Sequence, residues 1–377
     1  MDFTYTDDQR ALQELAEKIL SDACDDEALR EFAESDAPYD ADLWAQLAES
    51  GLLGMAVSEE NGGLGLGIID FGLLLNEQGR TLAPIPLTAA IVLGAMTLDR
   101  HGSDEQRERW LGPVLAGETL ITAALEEVGT YDATRPATTA KADGNGWRID
   151  GIKSAVPYGP QAEALIVSAW TDSGPALFLI PKDTDGVTVE AQQSTDGEPQ
   201  ALVTFNDVAL DGDALIGALE DGGDILADTI ARGRIALSQR QAGLTGEALR
   251  RTAEYSSGRI QFGKPLGSMQ AVQQRAADAF IDVEAIKSAS LLAAWQYDSG
   301  DWQAADVQSA KYWAAMGGHR VVHTAQHLHG GMGADVTYPI HRYFLTATAI
   351  AESLGGANPM LAAIGEEIAT GKAKGLT

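Results

Sequence analysis

The feature that most constrains this fold is a hydrophobic period that changes twice along the chain, from helical to alternating and back to helical. Thr6 and Gln9 stand at the spacing of a capping box, and Leu12, Leu15, Ala16 and Ile19 then recur at i, i+3, i+4 and i+7. Further helices are expected near 40–51, 68–80 and 86–99, separated by Gly62-Gly63 and by Pro84 and Pro86. From about Ile121 to Leu215 the runs shorten: 138–142, 147–150, 164–169, 176–180 and 202–208, broken by turns such as Asp143-Gly144-Asn145-Gly146. From Gly223 onward, long helical patterns rich in Ala, Leu and Gln return. The pattern predicts a mostly α chain with a central β domain, divided at 1–118, 119–216 and 217–377.

With 377 residues, 45% of them hydrophobic, the chain can bury the cores of two or three such units. Residues 1–8 show neither a basic nor an apolar leader, and no run of about eighteen uncharged apolar residues occurs, so a cytoplasmic protein is expected. Cys24, the one cysteine, excludes an internal disulfide and a thiolate metal cluster. A formal charge of -29 argues against nucleic acid or an anionic membrane as partner, since both would be repelled. A phosphate-bearing ligand would need local basic groups set against that field. The Gly-Lys-Ala-Lys-Gly run at 371–375 reads as a flexible tail.

Four motifs carry chemistry. The first is Ser58-Glu59-Glu60-Asn61-Gly62-Gly63-Leu64-Gly65, ahead of a helix ending in Glu77-Gln78-Gly79-Arg80. The second is Arg259-Ile260-Gln261-Phe262-Gly263-Lys264-Pro265-Leu266, followed by a helix opening at Gln270; a guanidinium suits a diphosphate, and Gly263 permits close backbone approach. The third, Gln326-His327-Leu328-His329-Gly330-Gly331-Met332-Gly333, is a glycine turn leaving a helix. The fourth is Tyr338-Pro339-Ile340-His341-Arg342. His319, His323 and His327 recur at i, i+4 and i+8, a spacing able to bind zinc. No acidic residue completes a His-Glu-x-x-His pattern and no further ligand set is present, so polar bundle histidines and no metal are expected.

In order, length and motifs the whole chain resembles the acyl-CoA dehydrogenase family. The resemblance implies an N-terminal helical domain, a β-barrel or sandwich middle domain and a C-terminal four-helix bundle, with FAD as cofactor, an acyl-CoA substrate and an electron-transferring flavoprotein as acceptor. It implies that Arg259 reaches the pyrophosphate of an FAD held mainly by a neighbouring subunit and that Phe262 packs near its adenosine half. Gln261, Gln270, His327, Gly330, Gly331 and Gly333 are the accompanying cofactor-side positions. His327 stands where the family often has Gln, with Gln326 displaced by one.

The chain departs from the family where chemistry is expected. Dehydrogenation needs a base for the α-proton, and the family's glutamate position falls on Leu354, before Gly355. The alternative position in some relatives is Gly233, before Arg234. Glu352 is a weak substitute, since two residues are about 200° around a helix. A Thr-Glu-Pro-like loop reads Leu125-Glu126-Glu127-Val128-Gly129-Thr130-Tyr131-Asp132, and a Gly-x-Lys-x-Trp-like strand reads Gly151-Ile152-Lys153-Ser154-Ala155, without the aromatic wall beside the flavin ring.

Retained motifs therefore serve a neighbour's FAD, and lost ones would serve the chain's own. That division resembles the base-lacking subunit of heteromeric bacterial acyl-CoA dehydrogenases, α2β2 assemblies with one FAD per heterodimer that are associated with steroid side-chain and other bulky acyl-CoA degradation. Two other readings stay open: a self-sufficient homomeric enzyme using Glu352, Glu126 or Glu127 as base, and a flavin-free structural or binding protein on the same scaffold.

Overall fold

The computed structural model describes residues 5–371. The first four residues, on which part of the leaderless reading rests, and the tail beyond Gly371 lie outside it. The chain divides into two compact units, one of residues 1–35, 68–83 and 234–377, the other of 36–67 and 84–233.

Helices lead, as the sequence predicts. They are α1 (Asp7–Ala23), α2 (Asp26–Glu34), α3 (Ala41–Glu49), α4 (Ile68–Thr81), α5 (Met96–His101) and α6 (Asp104–Leu115). The Thr6–Gln9 capping box forms in both directions. The stretch expected as one helix near 86–99 is instead a π-helical turn, Leu87–Ala95, running into α5.

Seven strands follow: β1 (Ile121–Ala124), β2 (Thr139–Asp143), β3 (Gly146–Pro157), β4 (Ala164–Thr171), β5 (Gly174–Pro181), β6 (Val187–Gln193) and β7 (Pro199–Leu210). They form one sheet in the order β1-β4-β2-β3-β7-β6, with β5 also paired to β4. Ile149, Val167, Phe178, Val203 and Phe205 fill its core, where each large apolar side chain contributes about 1.5–3 kcal/mol through burial.

The other unit is helical. Its elements are the latter part of α7 (Gly222–Gly258), a two-strand hairpin of β8 (Ile260–Gln261) and β9 (Lys264–Pro265), α8 (Gln270–Asp298), α9 (Ala304–His329), α10 (Ile340–Glu352) and α11 (Ala357–Ala369), with α1, α2 and α4. Helix α9 packs against α8, α10 and α11. Glycines bring α4 and α7 together: a Cβ at Gly243 would stand 1.8 Å from the Asn76 carbonyl oxygen, and one at Gly79 would stand 1.9 Å from that of Arg240. The helical N-terminal part, β middle part and C-terminal bundle are thus all present. Among the described residues, no helix is long and apolar enough to cross a membrane.

Candidate functional site

The second motif folds as an exposed hairpin. Ile260 pairs with Pro265 and Gln261 with Lys264, so Phe262 and Gly263 make a two-residue turn at φ of 52° and 75°. Phe262 is 92% exposed, and Arg259 and Gln261 are exposed too. The Arg259 guanidinium makes no ion pair among the described residues. Gln270, exposed, is the first residue of α8. Ile260, Phe280, Ile281 and Val336 are also more than half exposed.

The third motif ends α9. Gly330 sits at φ 59°, ψ -133°, a conformation reserved for glycine, and a Cβ at Gly330 or Gly331 would meet nothing within 4 Å. The Gly330 N–H donates to the His327 carbonyl, so what is open there is the Cα face rather than a spare amide. Gly333 differs: it is buried, and a Cβ there would stand 2.6 Å from the Gln326 carbonyl, which makes it a packing glycine. His327 is exposed.

Three motifs meet at one aromatic cluster that sequence reading missed. The Tyr255 ring stacks on His329 with centroids 4.3 Å apart, and Tyr338 lies 5.3 Å from His329 and 6.2 Å from Tyr255. The Tyr255 carbonyl accepts the Arg259 N–H at 2.8 Å, and its hydroxyl donates to the His329 carbonyl at 3.4 Å. The available signal was Tyr255 four residues before Arg259, one helical turn away.

The two positions expected from the resemblance to carry a base, 354 and 233, hold no carboxylate. Helix α10 ends at Glu352, and Ser353 is extended, so Leu354 lies past the helix rather than on its far face as a helical wheel implied. Leu354 is buried at φ 53°, whereas Glu352 is exposed. Arg234 Nε donates to the Leu354 carbonyl at 3.0 Å. Lys311, fully buried, donates to the carbonyls of Ile350 and Ala351 at 2.7 and 2.8 Å, satisfying the C-terminal end of α10. Gly233 precedes Arg234 on α7 and is buried.

In the β unit, Glu127 is already committed. Its carboxylate accepts from Lys153 Nζ at 2.7 Å, from the backbone N–H groups of Ala137 and Thr138 at 2.6 and 2.9 Å, and from the Thr138 hydroxyl at 2.7 Å. Burial alone would raise this carboxyl, but the Lys153 hydrogen bond and charge, with the Thr138 donors, hold it below the ordinary value. Lys153 also donates to the Ser168 hydroxyl at 2.9 Å, and desolvation brings its pKa down to about 8 against the opposing pull of Glu127. The Glu126 carbonyl is tied to the Ser154 N–H at 2.9 Å. Between Lys153 and Val156 the register of β3 shifts, and Ala155 sits at φ 50° with its N–H donated to Gln192.

His319 and His323 do share a face, with Nε2 atoms 2.9 Å apart, and the His323 ring meets Phe344 edge-on. No group of three or more His, Cys, Asp or Glu side chains among the described residues is placed to hold a metal.

Tyr255 links the backbone of Arg259 to the start of the glycine turn, and Ala155, Leu354 and Gly233 carry neither an aromatic ring nor a carboxylate. Comparison with known proteins agrees with the architecture. Residues 6–118, 122–208 and 220–369 match the N-terminal, middle and C-terminal domains of acyl-CoA dehydrogenase respectively. Acyl-CoA dehydrogenase FadE27 of Mycobacterium tuberculosis is 35% identical, over 98% of this chain and 99% of its own. Among solved structures, the ChsE4-ChsE5 complex of M. tuberculosis has a TM-score of 0.92 at 36% identity, covering 98% of this chain and 99% of that one. A variant of the Tcur3481-Tcur3483 steroid ACAD has a TM-score of 0.91 at 40% identity, covering 97% and 99%.

Proposed function

The chain belongs to the acyl-CoA dehydrogenase family, and from that premise we propose that it is the cofactor-completing, base-lacking subunit of a heteromeric enzyme. The family's cofactor is FAD. The observation that supports the proposal is a contrast: the side chains of Arg259 and Phe262 and the Cα faces of Gly330 and Gly331 are open, while Leu354 and Ala155 occupy the positions where the resemblance expects a base and a ring wall.

These residues fit one half of the cofactor and not the other. Arg259 would hold the pyrophosphate, Phe262 would lie at the adenosine end, and the Cα faces of Gly330 and Gly331 would admit the cofactor close to backbone. Gln261, Gln270 and His327 would line the same end, and Gly333 would keep the turn closed from behind. When bound, FAD supplies the acceptor for the β-hydride of an acyl-CoA thioester. Removal of the α-proton then falls to the partner subunit, since Leu354 and Gly233 cannot accept it and Glu127 is engaged by Lys153.

Two of the similar structures are named for paired chains, one of them as a steroid ACAD, which supports an α2β2 assembly acting on a bulky, steroid side-chain acyl-CoA. An electron-transferring flavoprotein as acceptor and a cytoplasmic setting complete the proposal. The homomeric alternative is disfavoured by the exposure of Glu352 and the engagement of Glu127. The test is FAD absorbance per polypeptide for the chain expressed alone and with its linked homologous subunit. About one FAD per two chains, only in the co-expressed sample, is the expected result; one FAD per chain in the lone sample would contradict it.

A further inference from the structure

We propose that Tyr255 and His329, with Tyr338 at their edge, are positioning residues that fix the Arg259 hairpin and the Gly330 turn in one geometry; this deepens the shared-site reading and rests on it. Tyr255 is attached to both elements. Its carbonyl holds the N–H of Arg259, the residue that begins the hairpin, and its hydroxyl reaches the His329 carbonyl. That carbonyl belongs to the peptide joining His329 to Gly330, whose N–H is held in turn by the His327 carbonyl. The peptide is therefore held at both ends, which fixes the plane from which the chain enters Gly330.

The rings make the clamp stiff. Tyr255 and His329 are nearly parallel, at 26° and 4.3 Å. Their contact contributes about 0.5–1.5 kcal/mol beyond burial. His329 is buried, and its Nδ1 lies 2.7 Å from the Ala325 carbonyl, which fixes the ring's rotation and assigns the proton to Nδ1. Burial pushes this imidazole below its ordinary pKa, only partly offset by the Ala325 bond, so the face offered to Tyr255 at neutral pH is an uncharged one. Among the described residues, the buried Nε2 finds no hydrogen-bond partner. Tyr338 closes the cluster from the fourth motif. Three sequence motifs with no pairing visible in the sequence are thus held by two side chains that would not themselves touch the cofactor.

The test uses the two-subunit complex and two substitutions. His329→Leu fills the site without a π face, and His329→Phe restores that face. FAD affinity of the deflavinated complex is measured by fluorescence titration, alongside assembly by size exclusion and the thermal midpoint. His329→Leu is expected to assemble and to weaken FAD binding up to about tenfold, equivalent to about 1.4 kcal/mol, with His329→Phe recovering most of that loss. FAD binding by His329→Leu equal to wild type, or no recovery with His329→Phe, would overturn the proposal. If His329→Leu does not assemble, Tyr255→Leu read against Tyr255→Phe puts the same question to the other ring. A wild-type complex without FAD would sink the shared-site reading itself, a different outcome from FAD retained by both wild type and His329→Leu.

Discussion

Arg234 Nε donates to the Leu354 carbonyl oxygen at 3.0 Å, so the residue following one possible base position holds the backbone of the other. Leu354 sits at φ 53°, a region leucine rarely adopts, and the buried guanidinium keeps it there.

Arg234→Met should therefore remove the charged donor from the buried Leu354 carbonyl and loosen the strained residue. A buried hydrogen bond to a charged group is worth about 1.5–3 kcal/mol, and urea unfolding is expected to show a loss of about 2 kcal/mol. A change within about 0.5 kcal/mol, the ordinary range for surface substitutions, would mean that the bond does not hold this segment.

Lys153 gives a pH signature. Its folded pKa of about 8 lies below the ordinary 10.5, so between those values the unfolded chain keeps a proton that the folded chain has released. The unfolded state binds more protons there, and stability from this group rises with pH, with a slope of up to about 1.4 kcal/mol per pH unit. Denaturation of wild type and Lys153→Met across that window should show the variant lacking this upward component. Parallel slopes would mean that Lys153 titrates near its ordinary value.

Local rules made much of this fold legible. The Thr6–Gln9 capping box, α3, α4 and the β2–β3 hairpin follow from neighbours within a few residues, where capping, period and turn chemistry act. Strand β6 went unread although Val187, Val189 and Ala191 alternate with polar residues, because the run is short and largely exposed, with only Val187 and Val189 packed against the core. The β8–β9 hairpin was hidden because Ile260 and Phe262 point outward, which resembles a helix-turn-helix pattern until a partner surface is considered. In the candidate site, the residue types at 233, 259, 330 and 354 were visible. The Glu127–Lys153 pair, 26 residues apart, and the Tyr255–His329 stack, 74 apart, were not, because sheet register and bundle packing bring them together.

Glycines of two kinds should separate on substitution. Gly243→Ala puts a methyl into the Asn76 carbonyl, with backbone on both sides, and is expected to destabilise by about 3 kcal/mol or more. Gly331→Ala meets open space and should leave the unfolding midpoint within about 0.5 kcal/mol of wild type, while lowering FAD retention in the two-subunit complex. A Gly331→Ala complex that retains FAD fully would remove the glycine turn from the proposed site.

The charge of -29 predicts a response to salt. Repulsion among surface carboxylates opposes compaction, and raising NaCl to about 1 M shortens the Debye length to about 3 Å. The thermal midpoint should rise with NaCl. A flat or falling midpoint would show that local ion pairs such as Arg251–Asp26 already balance the excess charge.

The central claim is that this chain holds the ADP end of a cofactor whose ring belongs to its partner. Arg259→Ala, introduced in this chain alone and purified with an unaltered partner, tests that claim most directly, because Arg259 is exposed and its guanidinium makes no hydrogen bond or ion pair among the described residues. The complex should assemble normally and lose FAD affinity by about tenfold or more, the effect of removing a charge-assisted bond worth about 1.5–3 kcal/mol. An assembled Arg259→Ala complex that binds FAD as tightly as wild type would contradict the account.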